Sequence, residues 1–121
     1  MKATGGGSII NMTSILGQVG LATASAYTAA RHGVVGLTQA AAWEHAADGI
    51  RVNAVGPGFI QTPLLTKNLD QPTLDFLGTQ HGLQRLGKPE KVAELVAWLA
   101  SDRSSYATGT YYAIDGGYLA R

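Results

Sequence analysis

The sequence contains no cysteine, which excludes disulfide bonds and thiol-based metal or catalytic sites. It has only three histidines, and their separation does not match the ligand spacing of a zinc site, so we expect no metal. No apolar run reaches the roughly 20 residues of a membrane-spanning helix, and no signal peptide opens the chain. These absences predict a cytoplasmic protein that makes no membrane contact.

Charged residues are also scarce, at 14% of the chain, and the formal net charge is only +1. Such a chain has no basic stripe for nucleic acid, so we expect no nucleic-acid partner. Apolar residues make up 45%, which is typical of a globular chain, and the low charge indicates that a partner covers part of the surface. A length of 121 residues predicts one domain, residues 1–121.

Apolar residues and turn signals predict alternating strands and helices. The predicted strands cover residues 7–14, 50–55 and 110–115, and the long helices cover residues 25–47 and a segment that begins at Pro89. We expect the first strand to be buried. A helix between two strands favours parallel strands. The sequence therefore predicts an α/β fold of three parallel strands with flanking helices.

Residues 59–88 show no strong period, apart from a short helix predicted over residues 72–80. A long segment of this kind often serves as a lid or a binding loop.

The helix predicted over residues 25–47 has Ser25 as its candidate N-cap and carries two stripes. One stripe consists of Tyr27, Ala30, Val34, Leu37, Ala41 and Glu44, and beside it lie the small residues Ala29, Gly33, Gly36 and Ala40. An interior glycine costs a helix about 1 kcal/mol relative to alanine. Two glycines on one face therefore predict that another backbone packs there, from the sheet or from a second subunit.

Four clusters carry the functional signal. Asn11-Met-Thr-Ser14 ends the first strand, and Tyr27-Thr-Ala-Ala-Arg31 opens the long helix. Arg51-Val-Asn-Ala-Val-Gly-Pro-Gly58 continues to Thr62-Pro63, and Gly109 to Gly117 ends in Asp-Gly-Gly. In this order and spacing, the clusters resemble the second half of the short-chain dehydrogenase/reductase family, and the resemblance covers nearly the whole chain.

The resemblance implies a truncated, three-layer Rossmann-like fold and NAD- or NADP-linked interconversion of an alcohol and a carbonyl compound. By this resemblance Ser14 holds the substrate oxygen and Tyr27 is the general acid/base. The chemistry agrees, because a carbonyl that accepts hydride develops oxyanion charge and needs a donor and a proton source. The resemblance also assigns contacts with the nicotinamide end of the cofactor to Pro57, Gly58, Ile60 and Thr62.

The sequence departs from the family pattern in two ways. The family has a lysine that binds the nicotinamide ribose and lowers the pKa of the tyrosine, whereas this chain has Arg31, which does not give up its proton. The Gly-rich pyrophosphate turn and the catalytic asparagine belong to an N-terminal half that this sequence lacks, and Gly5–Gly7 precedes a strand instead of opening a helix. We therefore expect altered chemistry and weak binding of NAD or NADP by the chain alone.

Two alternative functions remain open. Ser14 could attack an activated ester as a nucleophile, with Tyr27 or His32 as the base and Arg31 stabilising the oxyanion, although the chain has no Gly-x-Ser-x-Gly motif. Alternatively, the chain is a non-catalytic module that keeps the interfaces of the family. In either case the exposed edge of the first strand and the small-residue stripe predict a homo-oligomer that completes the fold.

Four further residues are expected to be structural. Asn53 and Asp115 should fix turns through side-chain to backbone hydrogen bonds, and Trp43 and Trp98 should serve as packing or interface anchors.

Overall fold

The computed structural model describes all 121 residues, and its centre is one sheet of three parallel strands. Strands β1 (Gly7–Met12), β2 (Ile50–Pro57) and β3 (Tyr111–Ile114) lie in the order β1-β2-β3. Both neighbouring pairs are parallel. The predicted fold class is confirmed, and each strand lies within one or two residues of its predicted bounds.

Four helices accompany the sheet: α1 (Ser25–His45), α2 (Pro63–Asn68), α3 (Gln71–Thr79) and α4 (Pro89–Ala100). Pro89 opens α4 as predicted, since a proline needs no hydrogen bond at the first helical position. The sequence did not predict α2, because six residues are too few to show a helical period. No helix is both long and apolar enough to cross a membrane.

The strand at the centre of the sheet is the buried one. Six of the eight residues of β2 are buried, and Val52 packs with Ala42 and Ile50 in the core. The prediction that the first strand is buried was wrong, because the residues of β1 are half-buried or exposed. The reason is the position of β1 at the edge of the sheet, where it has only one neighbouring strand.

The apolar stripe predicted for α1 was also wrong, because the buried residues of the helix lie about one position further along the chain. The buried residues of the helix are Val35, Thr38 and Ala42, whereas the side chain of Leu37 is 63% exposed. Thr38 can be buried because its hydroxyl accepts a hydrogen bond from Asn11 Nδ2 at 3.0 Å and donates to the carbonyl of Val34 at 2.8 Å. A polar residue thus occupies the buried face, which an apolar pattern cannot reveal.

The predicted N-cap of α1 was wrong, and the structure also decides where the small-residue stripe packs. Ser25 is already helical, and the preceding Ala24 provides no side-chain cap. Gly49 follows α1 and a short 3-10 turn in the left-handed conformation, which ends the helical segment. The stripe that contains Gly33 and Gly36 does not pack on the sheet, because a Cβ atom at either glycine would have no neighbour within 4 Å.

Asn53 and Asp115 have the structural roles that the sequence predicted. Buried Asn53 donates to the carbonyl of Ala107 at 2.8 Å and accepts from the amide of Thr110 at 3.2 Å, which fixes the entry into β3. The carboxylate of Asp115 accepts from two backbone amides in the turn after β3.

Candidate active site

The carboxyl ends of β1 and β2 and the first turn of α1 enclose a groove of about 420 Å³. Ligands of parallel α/β sheets bind at this end of the strands. The groove brings together six of the seven residues singled out in the sequence, namely Ser14, Tyr27, Pro57, Gly58, Ile60 and Thr62. The seventh, Arg31, is not part of the groove wall, but it contacts the ring of Tyr27.

Ser14 is held by hydrogen bonds at its side chain and at its backbone carbonyl. Its side-chain oxygen accepts from the amide of Leu16 at 3.2 Å and caps the 3-10 turn that follows. Its carbonyl accepts from the hydroxyl of Tyr111 at 3.0 Å. Because the Oγ atom is an acceptor in this arrangement, its own proton remains able to bond a ligand in the groove.

Tyr27 lies in the first turn of α1 with its side chain 46% exposed. The guanidinium carbon of Arg31 lies 4.7 Å from the centroid of the Tyr27 ring, one helical turn further on. The same guanidinium donates to the carbonyl of Met12 at 3.3 Å. Arg31 therefore supports the tyrosine through a cation–π contact, an interaction worth roughly 0.5–1 kcal/mol at an exposed site.

The segment Pro57–Thr62 is fixed by a short parallel bridge to Gly87. Ile60 pairs with Gly87, and the amide of Gln61 donates to the carbonyl of Gly87 at 2.8 Å. The amide of Gly87 in turn donates to the carbonyl of Phe59 at 2.9 Å. These bonds give this wall of the groove a defined backbone although it lies outside the sheet.

A histidine that the sequence did not single out holds the same segment. His81 is only 2% exposed, and its Nε2 atom accepts from the amide of Phe59 at 3.1 Å. The ring proton therefore resides on Nδ1, which donates to the carbonyl of Leu77 at 2.9 Å. Gly58 leaves room for the ring, since a Cβ atom there would lie 2.8 Å from Nε2.

The sequence also did not indicate a role for Tyr111 in the site, because it predicted this residue only as part of the last strand. Burial, and secondarily the carboxylate of Asp115, raise the pKa of Tyr111 to about 12. The phenol therefore remains a hydrogen-bond donor at neutral pH. No sequence signal could have linked Tyr111 to Ser14, because 97 residues separate the two.

The groove fits the nicotinamide end of a dinucleotide. Its wall is mostly apolar, with Ile15, Leu16 and Phe59 among its residues, which suits a flat ring. The phosphates find no such match, because Gly5–Gly7 leads into β1 and does not open a helix. The residues present thus fit one end of the cofactor.

The alternative hydrolase with His32 as its base receives no support from the geometry. His32 lies on a different surface of α1, beside Gly20 and Ser25, and it is not part of the groove that contains Ser14. Its Nδ1 atom lies 3.0 Å from the carbonyl of Thr28.

Comparisons with known proteins agree with this geometry. The family model described as enoyl-(acyl carrier protein) reductase matches residues 1–119. Cyclohexanol dehydrogenase of Acinetobacter sp. (strain SE19) is 47% identical over 119 residues, which are 98% of this chain and 46% of that protein. Cis-4-hydroxycyclohexanecarboxylate dehydrogenase of Sinomonas cyclohexanicum is 48% identical over 120 residues, 99% of this chain and 48% of that protein.

A solved structure of ElxO with NADP bound superposes with a TM-score of 0.94 at 38% identity, covering 100% of this chain and 50% of that one. The chain spans about half the length of the curated relatives that it matches. The family model, these relatives and the shared fold lead to one conclusion: the chain belongs to the short-chain dehydrogenase/reductase family.

Proposed function

We propose that the groove binds an alcohol or carbonyl compound beside the nicotinamide of NAD or NADP, and that the chain acts in an oxidoreductase. The observation that carries the proposal is the common groove wall formed by Ser14, Tyr27 and the segment 57–62. Two of the similar proteins are named as dehydrogenases of hydroxylated cyclohexanes, so we propose a cyclic secondary alcohol as the substrate.

Each groove residue has a distinct task in this proposal. The nicotinamide supplies the hydride acceptor or donor. Ser14 donates a hydrogen bond from its hydroxyl to the substrate oxygen, because its Oγ atom already accepts one from the amide of Leu16. Tyr27 takes the alcohol proton as the carbonyl forms and returns it during reduction. Pro57, Ile60 and Thr62 contact the nicotinamide side of the groove.

Arg31 supplies a fixed positive charge to this proton transfer. Its guanidinium carbon lies 4.7 Å from the centroid of the Tyr27 ring, so the charge stands beside the residue that exchanges the proton. The guanidinium does not release its own proton at working pH, so Arg31 cannot relay protons as a lysine can. We therefore propose that Arg31 keeps the positive charge of the lysine found in the family but cannot relay protons as that lysine does.

We propose further that the chain works as a homo-oligomer. The outer edge of β1 has no partner strand, and exposed strand edges favour pairing with another chain. A second copy could also supply a surface for the part of the dinucleotide that the groove does not fit.

The test is a calorimetric titration of the chain with NADH and with NADPH, followed by an assay of cyclohexanol oxidation with NAD⁺ and NADP⁺. We expect saturable binding tighter than about 1 mM. The variant Tyr27→Phe should retain this binding and lose roughly 100-fold or more in turnover, because it removes the proton acceptor.

Tyr106→Phe is the matched control, since Tyr106 is fully exposed and lies outside the groove. It should leave both binding and turnover unchanged. Turnover that survives Tyr27→Phe would contradict the assigned role of the tyrosine. Absence of binding at several millimolar would instead leave the hydrolase and the non-catalytic module, which an ester assay separates.

A further inference from the structure

Tyr111 on strand β3 bonds the backbone that follows strand β1, at the opposite edge of the sheet. Tyr111 is the first residue of β3 and is paired with Ala54 of β2. Its hydroxyl nevertheless donates a hydrogen bond of 3.0 Å to the carbonyl of Ser14, beyond the end of β1. The side chain therefore crosses the central strand to reach the carbonyl of Ser14.

Gly56 of β2 makes this crossing possible. A Cβ atom at Gly56 would overlap the hydroxyl and ring of Tyr111. The backbone of Gly56 does not adopt the left-handed conformation, unlike that of Gly49 or Gly116. Glycine is thus needed at position 56 for space and not for its torsion angles.

The bond from Tyr111 is a second hydrogen bond to a Ser14 carbonyl that the local turn also uses. Within the turn, the carbonyl of Ser14 accepts from the amide of Gly17 at 2.9 Å, and the Oγ atom accepts from Leu16. These bonds join Ser14 only to the residues that follow it. Tyr111 adds a bond from the opposite edge of the sheet, which fixes the turn relative to the strands.

We propose that Tyr111 is a positioning residue, which holds Ser14 in the orientation that substrate binding requires, and that Gly56 provides the space for its side chain. This inference rests on the proposed function in one respect only, namely that Ser14 contacts the substrate. The contact among the three residues can be tested in a chain that turns over no substrate.

The first test uses Tyr111→Phe, which keeps the ring over Gly56 and removes the hydroxyl. NMR spectra of the labelled chain should show a changed ¹³C shift for the Ser14 carbonyl and a changed ¹⁵N shift for the amide of Ile15. The matched control is Tyr112→Phe, at the next position of the same strand, where the ring packs on Trp98. Unchanged resonances in Tyr111→Phe would overturn the proposal.

The second test measures the coupling between Gly56 and Tyr111 in a double-mutant cycle. Gly56→Ala should lower the urea midpoint of the otherwise unchanged chain, because the new methyl group meets the Tyr111 side chain. In a Tyr111→Ala background the same change should have little effect, or even raise the midpoint, since the space is then open. Equal effects in both backgrounds would overturn the role assigned to Gly56.

The third test is kinetic and separates this inference from the proposed function. In the active enzyme, Tyr111→Phe should lower kcat for the alcohol by about threefold to tenfold, as expected for one hydrogen bond. The affinity for the cofactor should not change. A full kcat in Tyr111→Phe would overturn the positioning role. If the unsubstituted chain shows no turnover, the proposed function fails, and the NMR and coupling tests decide whether Tyr111 orients Ser14.

Discussion

At the scale of single residues, His81 determines whether the segment that follows β2 keeps its place. Its two ring nitrogens bond the amide of Phe59 and the carbonyl of Leu77. His81→Leu leaves both backbone groups without their partners in a buried setting. We expect the free energy of unfolding to fall by about 2–4 kcal/mol, measured by urea denaturation.

The control for this prediction is His32→Leu, because His32 is an exposed histidine of α1. An exposed substitution of this kind should change the free energy of unfolding by no more than about 0.5 kcal/mol. Similar losses in the two variants would show that the hydrogen bonds of His81 contribute little.

The sequence predicted some residues of the candidate site and could not predict others. Ser14 and Tyr27, which the family resemblance singled out, both line one groove, and their catalytic roles stay predictions. The stacking of Arg31 on Tyr27 was not predictable, since the position of a long side chain depends on its packing. The bond from Tyr111 depends on a tertiary contact that no local pattern encodes.

At the scale of elements, the end of α1 is tied to the N-terminal turn by one carboxylate. Asp48 Oδ2 lies 3.0 Å from Lys2 Nζ and 3.2 Å from His45 Nδ1. The hydrogen bonds from Lys2, and then from His45, hold the pKa of Asp48 below its ordinary value of 3.8. The ionised carboxylate is therefore favoured in the folded chain.

The sign of the pH dependence follows from this lowered pKa. The stabilisation is fully present above the ordinary value of 3.8 and is lost as the pH falls through the lower value of the folded state. Asp48→Asn should lower the urea midpoint near neutral pH, and its difference from the unsubstituted chain should shrink towards zero in acid. Added salt should also reduce the difference, because these groups are partly exposed.

Asp102→Asn provides the control for Asp48→Asn, since it removes the same charge from an exposed aspartate. It should show no comparable dependence on pH. A difference for Asp48→Asn that stays constant down to about pH 2 would show that the ion pair does not contribute to stability.

The elements themselves were largely predictable because the chain alternates apolar strands with helices bounded by turn signals such as Gly49 and Pro89. Position-specific features were harder to predict. The buried face of α1 includes Thr38, whose partner Asn11 lies on a different element. Helix α2 was missed because it is short and its neighbours form no periodic pattern.

At the scale of the whole molecule, the outer face of α1 lacks charged residues and has no close packing within the chain. Between Ser25 and Trp43 its exposed residues include no Asp, Glu, Lys or Arg. Trp43 is 89% exposed. Gly33 and Gly36 destabilise the helix by about 1 kcal/mol each relative to alanine, and nothing within the chain packs closely against them. We propose that a second copy of the helix approaches closely at these glycines, which would account for all three features.

The last prediction tests this face by changing its charge. Leu37→Asp places a carboxylate at the centre of the face, on a side chain that is already 63% exposed, so the fold of a single chain should be unaffected. We expect the unsubstituted chain to sediment as an oligomer at micromolar concentration and Leu37→Asp to sediment as a smaller species, because the contact at α1 would bury an unpaired charge. Tyr106→Asp adds the same charge at a fully exposed residue outside α1 and should keep the oligomer. If the unsubstituted chain were a monomer, or if Leu37→Asp associated as strongly as Tyr106→Asp, the outer face of α1 would not be the interface.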